Sequence, residues 1–255
     1  MGELWFVGLG LSDELGLSER ALDALRRADR VFAEEYTAVA PAGTLERLAE
    51  RLGRPVERLD RPLLESERPI LDALGAHPRV ALLVVGDPFA ATTHVALRLA
   101  AEGAGHSWKY VPNASILTAA AGFLGLMHYR FGRTVSLPFP APGFTPTSPL
   151  EQVRANRDRG LHTLVLLDLR PEEGRFLSAG EGLRWLTSPA PEVRGLEGST
   201  PVAVAARVGH ESAAGWFGPL ARLRSLDFGP PLHVVVVPAD LHFEEAAALE
   251  RYRVR

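Results

Sequence analysis

Four short stretches of the chain hold residue types able to grip a ligand: Gly8-Leu9-Gly10-Leu11, Gly86-Asp87-Pro88, Pro112-Asn113-Ala114-Ser115 and Ala206-Arg207-Val208-Gly209. Glycine lets the backbone come close to a bound molecule. A carboxylate in a Gly-Asp-Pro turn accepts hydrogen bonds from a ligand or stands beside a positive centre. At an effective dielectric of about 20, two unit charges about 4 Å apart interact by about 4 kcal/mol before desolvation. Each stretch also reads as an ordinary turn, and Asp87 can simply bond its own backbone. The first stretch is not a dinucleotide fingerprint. Asp13 stands where the third glycine belongs, and residues Leu11 to Leu17 separate the turn from the next helix.

Most other catalytic arrangements fail on spacing. The chain has no cysteine, which removes disulfides, thiolate metal sites and thiol nucleophiles together. Its eight histidines are scattered, with no H-E-x-x-H, so no metal site is expected. "GHESAAG" at Gly209 to Gly215 sets Ser212 three residues after the glycine, where a nucleophile elbow needs two. His162 precedes a strand and Asp168 ends it; a core-edge role and a ligand role are equally open for both. His94 at a helix start reads as structural.

The elements that position these stretches alternate. Strand-like runs begin near Leu4, Val31, Val56, Val80, Trp108, Thr134, Leu164, Val202 and Val234, with helical spacing over 18–28, 44–52, 92–102, 149–159, 178–187, 217–226 and 243–252. Ser18 reads as a helix cap. The pattern predicts an α/β chain with mostly parallel sheets, divided into an N-terminal domain 1–113 and a C-terminal domain 114–255. In such sheets ligands bind beyond the carboxyl ends of the strands, where all four stretches fall. The Pro-rich run from Leu137 to Pro149 reads as a long surface loop. At 255 residues, 46% hydrophobic and 23% charged, the composition is that of a globular protein with no apolar stretch able to span a membrane. A formal net charge of −3 argues against a general nucleic-acid binder, and the lack of cysteine fits a cytoplasmic protein.

In this order the stretches resemble the diphthine synthases, members of the tetrapyrrole-methylase-like class of S-adenosylmethionine enzymes. The likeness runs through "LWFVGLGLSDE", "ADRVFAEEYT", "GDPFAATTHVALRLAA", "GFLGLMHYRFG", "FTPTSPLEQVRANRDRGLHTLVLLDL", "AARVG" and "LDFGPPLHVVVVPADLHFEEAAAL"; residues 54–80 and 171–200 add little. The resemblance implies a two-domain α/β homodimer with a cleft for S-adenosyl-L-methionine between the domains. It further implies methylation of the amino group of a modified histidine on translation elongation factor 2, a step of diphthamide formation that releases S-adenosyl-L-homocysteine. The cofactor contacts it implies are Leu11, Asp87, Ala90, Ser115, Ile116, Leu167, Val208 and His233. His233 starts its strand instead of ending it, so it rests on the resemblance alone. No catalytic base is assigned. Competing readings are the same fold acting on a tetrapyrrole or ribosomal RNA, and a non-catalytic S-adenosylmethionine-binding protein.

Overall fold

The computed structural model describes residues 1–34, 36, 38–141, 146–187 and 193–254. They form two units, Met1–Ile116 with Pro171–Glu173, and Leu117–Arg170 with Gly174–Arg255. In the first, β1 (Glu3–Gly10), β2 (Arg30–Glu34), β3 (Glu57–Leu59), β4 (Arg79–Val85) and β5 (Ser107–Val111) make a wholly parallel sheet in the order β3-β2-β4-β1-β5. Side chains of a strand alternate between faces, and both faces of the central strands β1 and β4 are buried, which is why these read as continuous apolar runs. Trp5, Val7 and Leu9 pack with Ala21, Ala24 and Leu25 of α1 (Glu19–Arg27) and Leu45 and Leu48 of α2 (Thr44–Leu52). Leu4 and Phe6 pack on the opposite face, with Leu64 of α3 (Arg61–Glu65), Ile70 and Leu74 of α4 (Arg68–Ala76) and Leu97 of α5 (Val95–Gly103). Ser18 caps α1, its hydroxyl accepting the Ala21 N–H at 3.1 Å. On the edge strand β5, Lys109 lies opposite Trp5, its ammonium 5.1 Å from the indole centroid and 3.1 Å from Glu3.

The rest of the chain runs through α6 (Ile116–Leu124), β6 (Val135–Leu137), α7 (Ser148–Arg157), β7 (Thr163–Leu167), β8 (Leu169–Arg170), β9 (Arg175–Phe176), α8 (Ala179–Thr187), β10 (Pro201–Ala206), β11 (Ala214–Pro219), α9 (Leu220–Leu223), β12 (His233–Val237) and α10 (Phe243–Glu250). The second five-stranded sheet has the order β11-β10-β12-β7-β6. Here the expectation of mostly parallel pairing is corrected. Only β6 and β7 pair parallel; β7–β12, β12–β10 and β10–β11 are antiparallel. The reason lies in β11, whose "AGWFGP" holds two glycines and a proline and does not read as a strand. The seven residues from Arg207 to Ala213 are too few for a crossover, so β11 returns alongside β10 as a hairpin.

The Pro-rich run is also less of a surface loop than expected. Leu137 ends β6, Phe139 is buried, and Pro149 lies in the first turn of α7, where its missing N–H costs nothing. Arg170 and Arg175 stand over the Phe139 ring at 5.2 and 4.4 Å. Residues 142–145 of that run lie outside the described residues. Among the described residues no helix is long and apolar enough to cross a membrane.

A buried carboxylate organises the second unit. Glu245 of α10 accepts the Met127 N–H and the His242 N–H, each at 2.9 Å, and pairs with the Arg130 guanidinium, which also donates to the Asp240 carbonyl at 2.6 Å. His162 Nδ1 accepts the Ala239 N–H at 3.0 Å, so the proton of the neutral ring sits on Nε2, 3.0 Å from Glu245 Oε1. Burial lowers the His162 pKa, against the pull of Glu245. Burial alone would raise the Glu245 pKa, but the two backbone N–H groups and His162 outweigh it and bring the pKa below the ordinary carboxylate value.

Both shifts carry the same sign for stability. The unfolded chain binds more protons than the folded one below about pH 6.5 at His162 and below about pH 4.5 at Glu245. Melting temperature should therefore fall in two steps on acidification through those ranges, and Glu245→Gln should weaken the lower step. Arg130→Met leaves the buried carboxylate without its cation and should cost about 3–5 kcal/mol in urea unfolding at pH 7.

Candidate functional site

In the first unit, β1 and β4 leave the sheet side by side. Gly10 and Gly86 exchange backbone hydrogen bonds at 3.1 and 2.7 Å, an antiparallel bridge beyond the ends of two parallel strands. Both have positive φ, +89° and +81°, which glycine adopts without strain. Leu11 comes directly after and is half-buried. Asp87 is next to Gly86, and its carboxylate has three donors. Oδ1 accepts the Phe89 N–H at 3.0 Å, while Oδ2 accepts the Tyr110 hydroxyl at 2.5 Å and the Asn113 N–H at 3.2 Å. The turn reading of Asp87 thus holds, and two further bonds from the end of β5 are added to it. A carboxylate has about four lone-pair positions, so Asp87 keeps capacity for one more donor.

The Ala90 N–H closes the turn on the Asp87 carbonyl at 3.2 Å. Below it the Phe89 ring packs against Phe6, Tyr110 and Trp108, with centroids 4.8, 5.2 and 6.2 Å away. His94 supports the same loop: it is buried and its Nδ1 is 2.8 Å from the Pro88 carbonyl. Ser115 and Ile116 come after β5 at the start of α6, so Leu11, Asp87, Ala90, Ser115 and Ile116 all come from the carboxyl-end loops of three adjacent strands, β4, β1 and β5.

In the second unit, antiparallel pairing removes the objection to His233. Ala206, the last residue of β10, pairs with His233, the first of β12, and Leu166 of β7 pairs with Val234. Leu167 at the end of β7, Val208 just past β10 and His233 at the start of β12 therefore share one edge of the sheet. Arg207, at φ +51°, ties this edge together. Its guanidinium donates to the Ser212 carbonyl at 3.2 Å and hydroxyl at 3.0 Å, and to the Phe228 carbonyl at 3.1 Å and the Pro230 carbonyl at 2.5 Å. A positive φ on an arginine costs energy, and these bonds offset it.

His233 is 7% exposed, and its Nδ1 accepts the Ala179 N–H at 3.2 Å. The neutral ring then carries its proton on Nε2, a buried atom with no hydrogen-bond partner among the described residues. Burial, and then the Arg207 charge, lower the His233 pKa, with the Phe228 and Pro230 carbonyls offsetting only part. Asp168 is engaged in structure: Oδ1 accepts the Leu169 N–H and Oδ2 the Phe139 N–H. His162 is bound to Glu245 and fully buried, whereas Asp168 is half-buried.

Tetrapyrrole (corrin/porphyrin) methylases are the family whose model matches residues 3–224, and the chain belongs to it. Two relatives and one solved structure narrow the assignment. A diphthine synthase of Methanospirillum hungatei is 40% identical over 98% of this chain and 97% of its own length. A diphthine synthase of Methanothermobacter thermautotrophicus is 42% identical over 95% and 92%. A diphthine synthase crystal structure superposes with TM-score 0.89 at 34% identity, covering 99% of this chain and 96% of that one. Within the methylases, the chain is thus a member of the diphthine synthase family.

Sequence reasoning passes over Tyr110, and it places Asn113 and Arg207 in strand-end stretches without seeing the bonds they make. Tyr110 sits in "WKYV", where it reads only as a strand residue; its bond to Asp87 spans 23 positions and becomes visible only once β4 and β5 are known to flank β1. Burial, together with the bond to Asp87 and its charge, pushes the Tyr110 pKa up to about 12. In an ultraviolet titration between about pH 9 and 11, Tyr110→Phe should leave the curve unchanged. Asp87→Asn removes the charge opposing the phenolate but not the burial, the larger cause, and should shift the Tyr110 titration downward so that part of it enters this range.

Proposed function

We propose that the chain uses S-adenosyl-L-methionine to methylate the amino group of the modified histidine on translation elongation factor 2. The observation that carries the donor reading is the content of the two sheet edges. The loops at the first carry the apolar Leu11, Ala90 and Ile116 and one carboxylate with spare acceptor capacity; the second carries Leu167, Val208 and a buried imidazole N–H with no partner among the described residues. Such a set suits a molecule that joins a positive centre to a nucleoside. The reading assigns Leu11, Asp87, Ala90, Ser115 and Ile116, and Leu167, Val208 and His233, to the donor.

When bound, the donor supplies an electrophilic methyl group on a cationic sulfur, open to in-line attack by an amine. The residues of the chain hold, orient and keep out water; correct alignment alone lowers such barriers by up to about 7–11 kcal/mol in the best intramolecular cases. His233 stays neutral near pH 7, because its pKa is below the ordinary histidine value, and donates from Nε2. The Asp87 carboxylate supplies negative charge. The elongation-factor substrate is supported by near full-length identity to diphthine synthases, which weighs against a tetrapyrrole or ribosomal RNA acceptor. Homodimerisation belongs to the same reading and is measured by sedimentation.

The chain, labelled S-adenosylmethionine and elongation factor 2 carrying the unmethylated precursor should together yield labelled factor. Bound donor without transfer would instead leave a non-catalytic binding protein. Asp87→Ala should weaken donor binding roughly tenfold or more by calorimetry, since a lost contact to a charged group is worth about 1.5–3 kcal/mol. Unchanged affinity would sink the role given to Asp87.

A further inference from the structure

Asn113 is not among the residues assigned to the cofactor, yet it bonds to every strand-end loop that carries them in the first unit, through its side chain to the loops after β1 and β5 and through its backbone N–H to the loop after β4. Nδ2 donates to the Gly8 carbonyl at 2.9 Å and to the Gly16 carbonyl at 3.1 Å, the two ends of the loop that holds Leu11. Oδ1 accepts the Ala114 N–H at 2.8 Å, which sets the backbone leading into Ser115 and Ile116. The Asn113 backbone N–H is one of the three donors to Asp87. The opposite amide orientation would turn Oδ1 toward two carbonyl oxygens, so the bonding pattern admits one orientation.

The glycines of the first stretch fit around this side chain. A methyl group on Gly8 would stand 2.6 Å from Asn113 Cβ and 2.8 Å from the Gly86 carbonyl oxygen, and one on Gly10 would lie 3.2 Å from Asn113 Oδ1. Real Cβ atoms do not approach backbone as closely as the Gly8 position requires. The bare positions of "GLG" therefore form the socket of Asn113.

We infer that Asn113 is a positioning residue for methyl-donor binding, holding the loops after β1, β4 and β5 in one register so that Leu11, Asp87, Ser115 and Ile116 stand together. The inference rests on the S-adenosylmethionine reading above. It does not require Asn113 to touch the donor.

The test uses the full chain with Asn113→Ala and the near-isosteric Asn113→Asp. Asp keeps the acceptor for Ala114 but loses both donated bonds. Calorimetry with S-adenosylmethionine should show Kd raised roughly tenfold or more in both variants. In methylation assays KM for the donor should rise alongside, while kcat at saturating donor falls less. A side chain that only fills space predicts wild-type affinity for Asn113→Asp, and that result would overturn the inference. Partial unfolding lowers kcat but leaves KM of the folded fraction unchanged, so an unaltered KM also counts against it. Asn113→Ser, which keeps a short donor, replaces any variant that does not purify and is held to the same KM criterion. If the unaltered chain binds the donor and the variants bind it equally well, this inference alone fails. If the unaltered chain binds none, the donor reading fails and takes this inference with it.

Discussion

Where two parallel strands leave a sheet side by side, their next backbone N–H and C=O groups lose the ladder and need other partners. The reciprocal pair between Gly10 and Gly86 meets that need with one antiparallel bridge, at positive φ on both sides. The rest of the edge depends on it. With the two segments joined there, Asp87 emerges next to the end of β5, within reach of Tyr110 and Asn113, and Leu11 emerges beside it. The carboxylate is thereby held by donors from two segments distant in sequence. A group fixed before its ligand arrives loses less freedom on binding, which is the sense in which this edge is preorganised.

The second unit solves a related problem with charge. Its Glu245 sits fully buried, a costly place for a carboxylate unless every oxygen is occupied. Two backbone N–H groups, an arginine and a neutral histidine occupy it, and they come from the segment Met127 to Arg130, the approach to β7 and the cap of α10. One interior anion thus sets the relation of three segments, while Arg207 does similar work at the sheet edge with a cation and four oxygens.

Much of this is legible in the amino-acid sequence, and the failures share a cause. The parallel first sheet, the Ser18 cap and the strand-end location of Gly86-Asp87-Pro88 are read from periodicity and local chemistry, which involve neighbours in the chain. Strand direction in the second sheet is misread because "AGWFGP" hides a strand behind glycine and proline, and one missed strand reverses the inferred sense of the strands after it. His233 looks misplaced for that reason alone. Tyr110, Asn113 and the Arg207 clamp act through bonds to residues far along the chain or in neighbouring loops, and no local pattern encodes such a partner. His94, His162 and Asp168 are told apart only by their partners: a proline carbonyl, a buried glutamate and two backbone N–H groups.

Lys109 is the only lysine among 28 basic residues. Its side chain is more than half exposed, and it points to the Trp5 face of the sheet while its neighbour Tyr110 points to the Phe89 face. Amine-directed acylation of side chains therefore has one address in this sequence, the Lys109 ammonium. A dye attached at Lys109 would sit one residue from the Asp87 partner yet on the opposite face of the strand, with the Trp5 indole beside it as a built-in quencher or energy donor. The sequence thus carries one side-chain amine as an optical handle for the edge of the first sheet, with no engineered cysteine required.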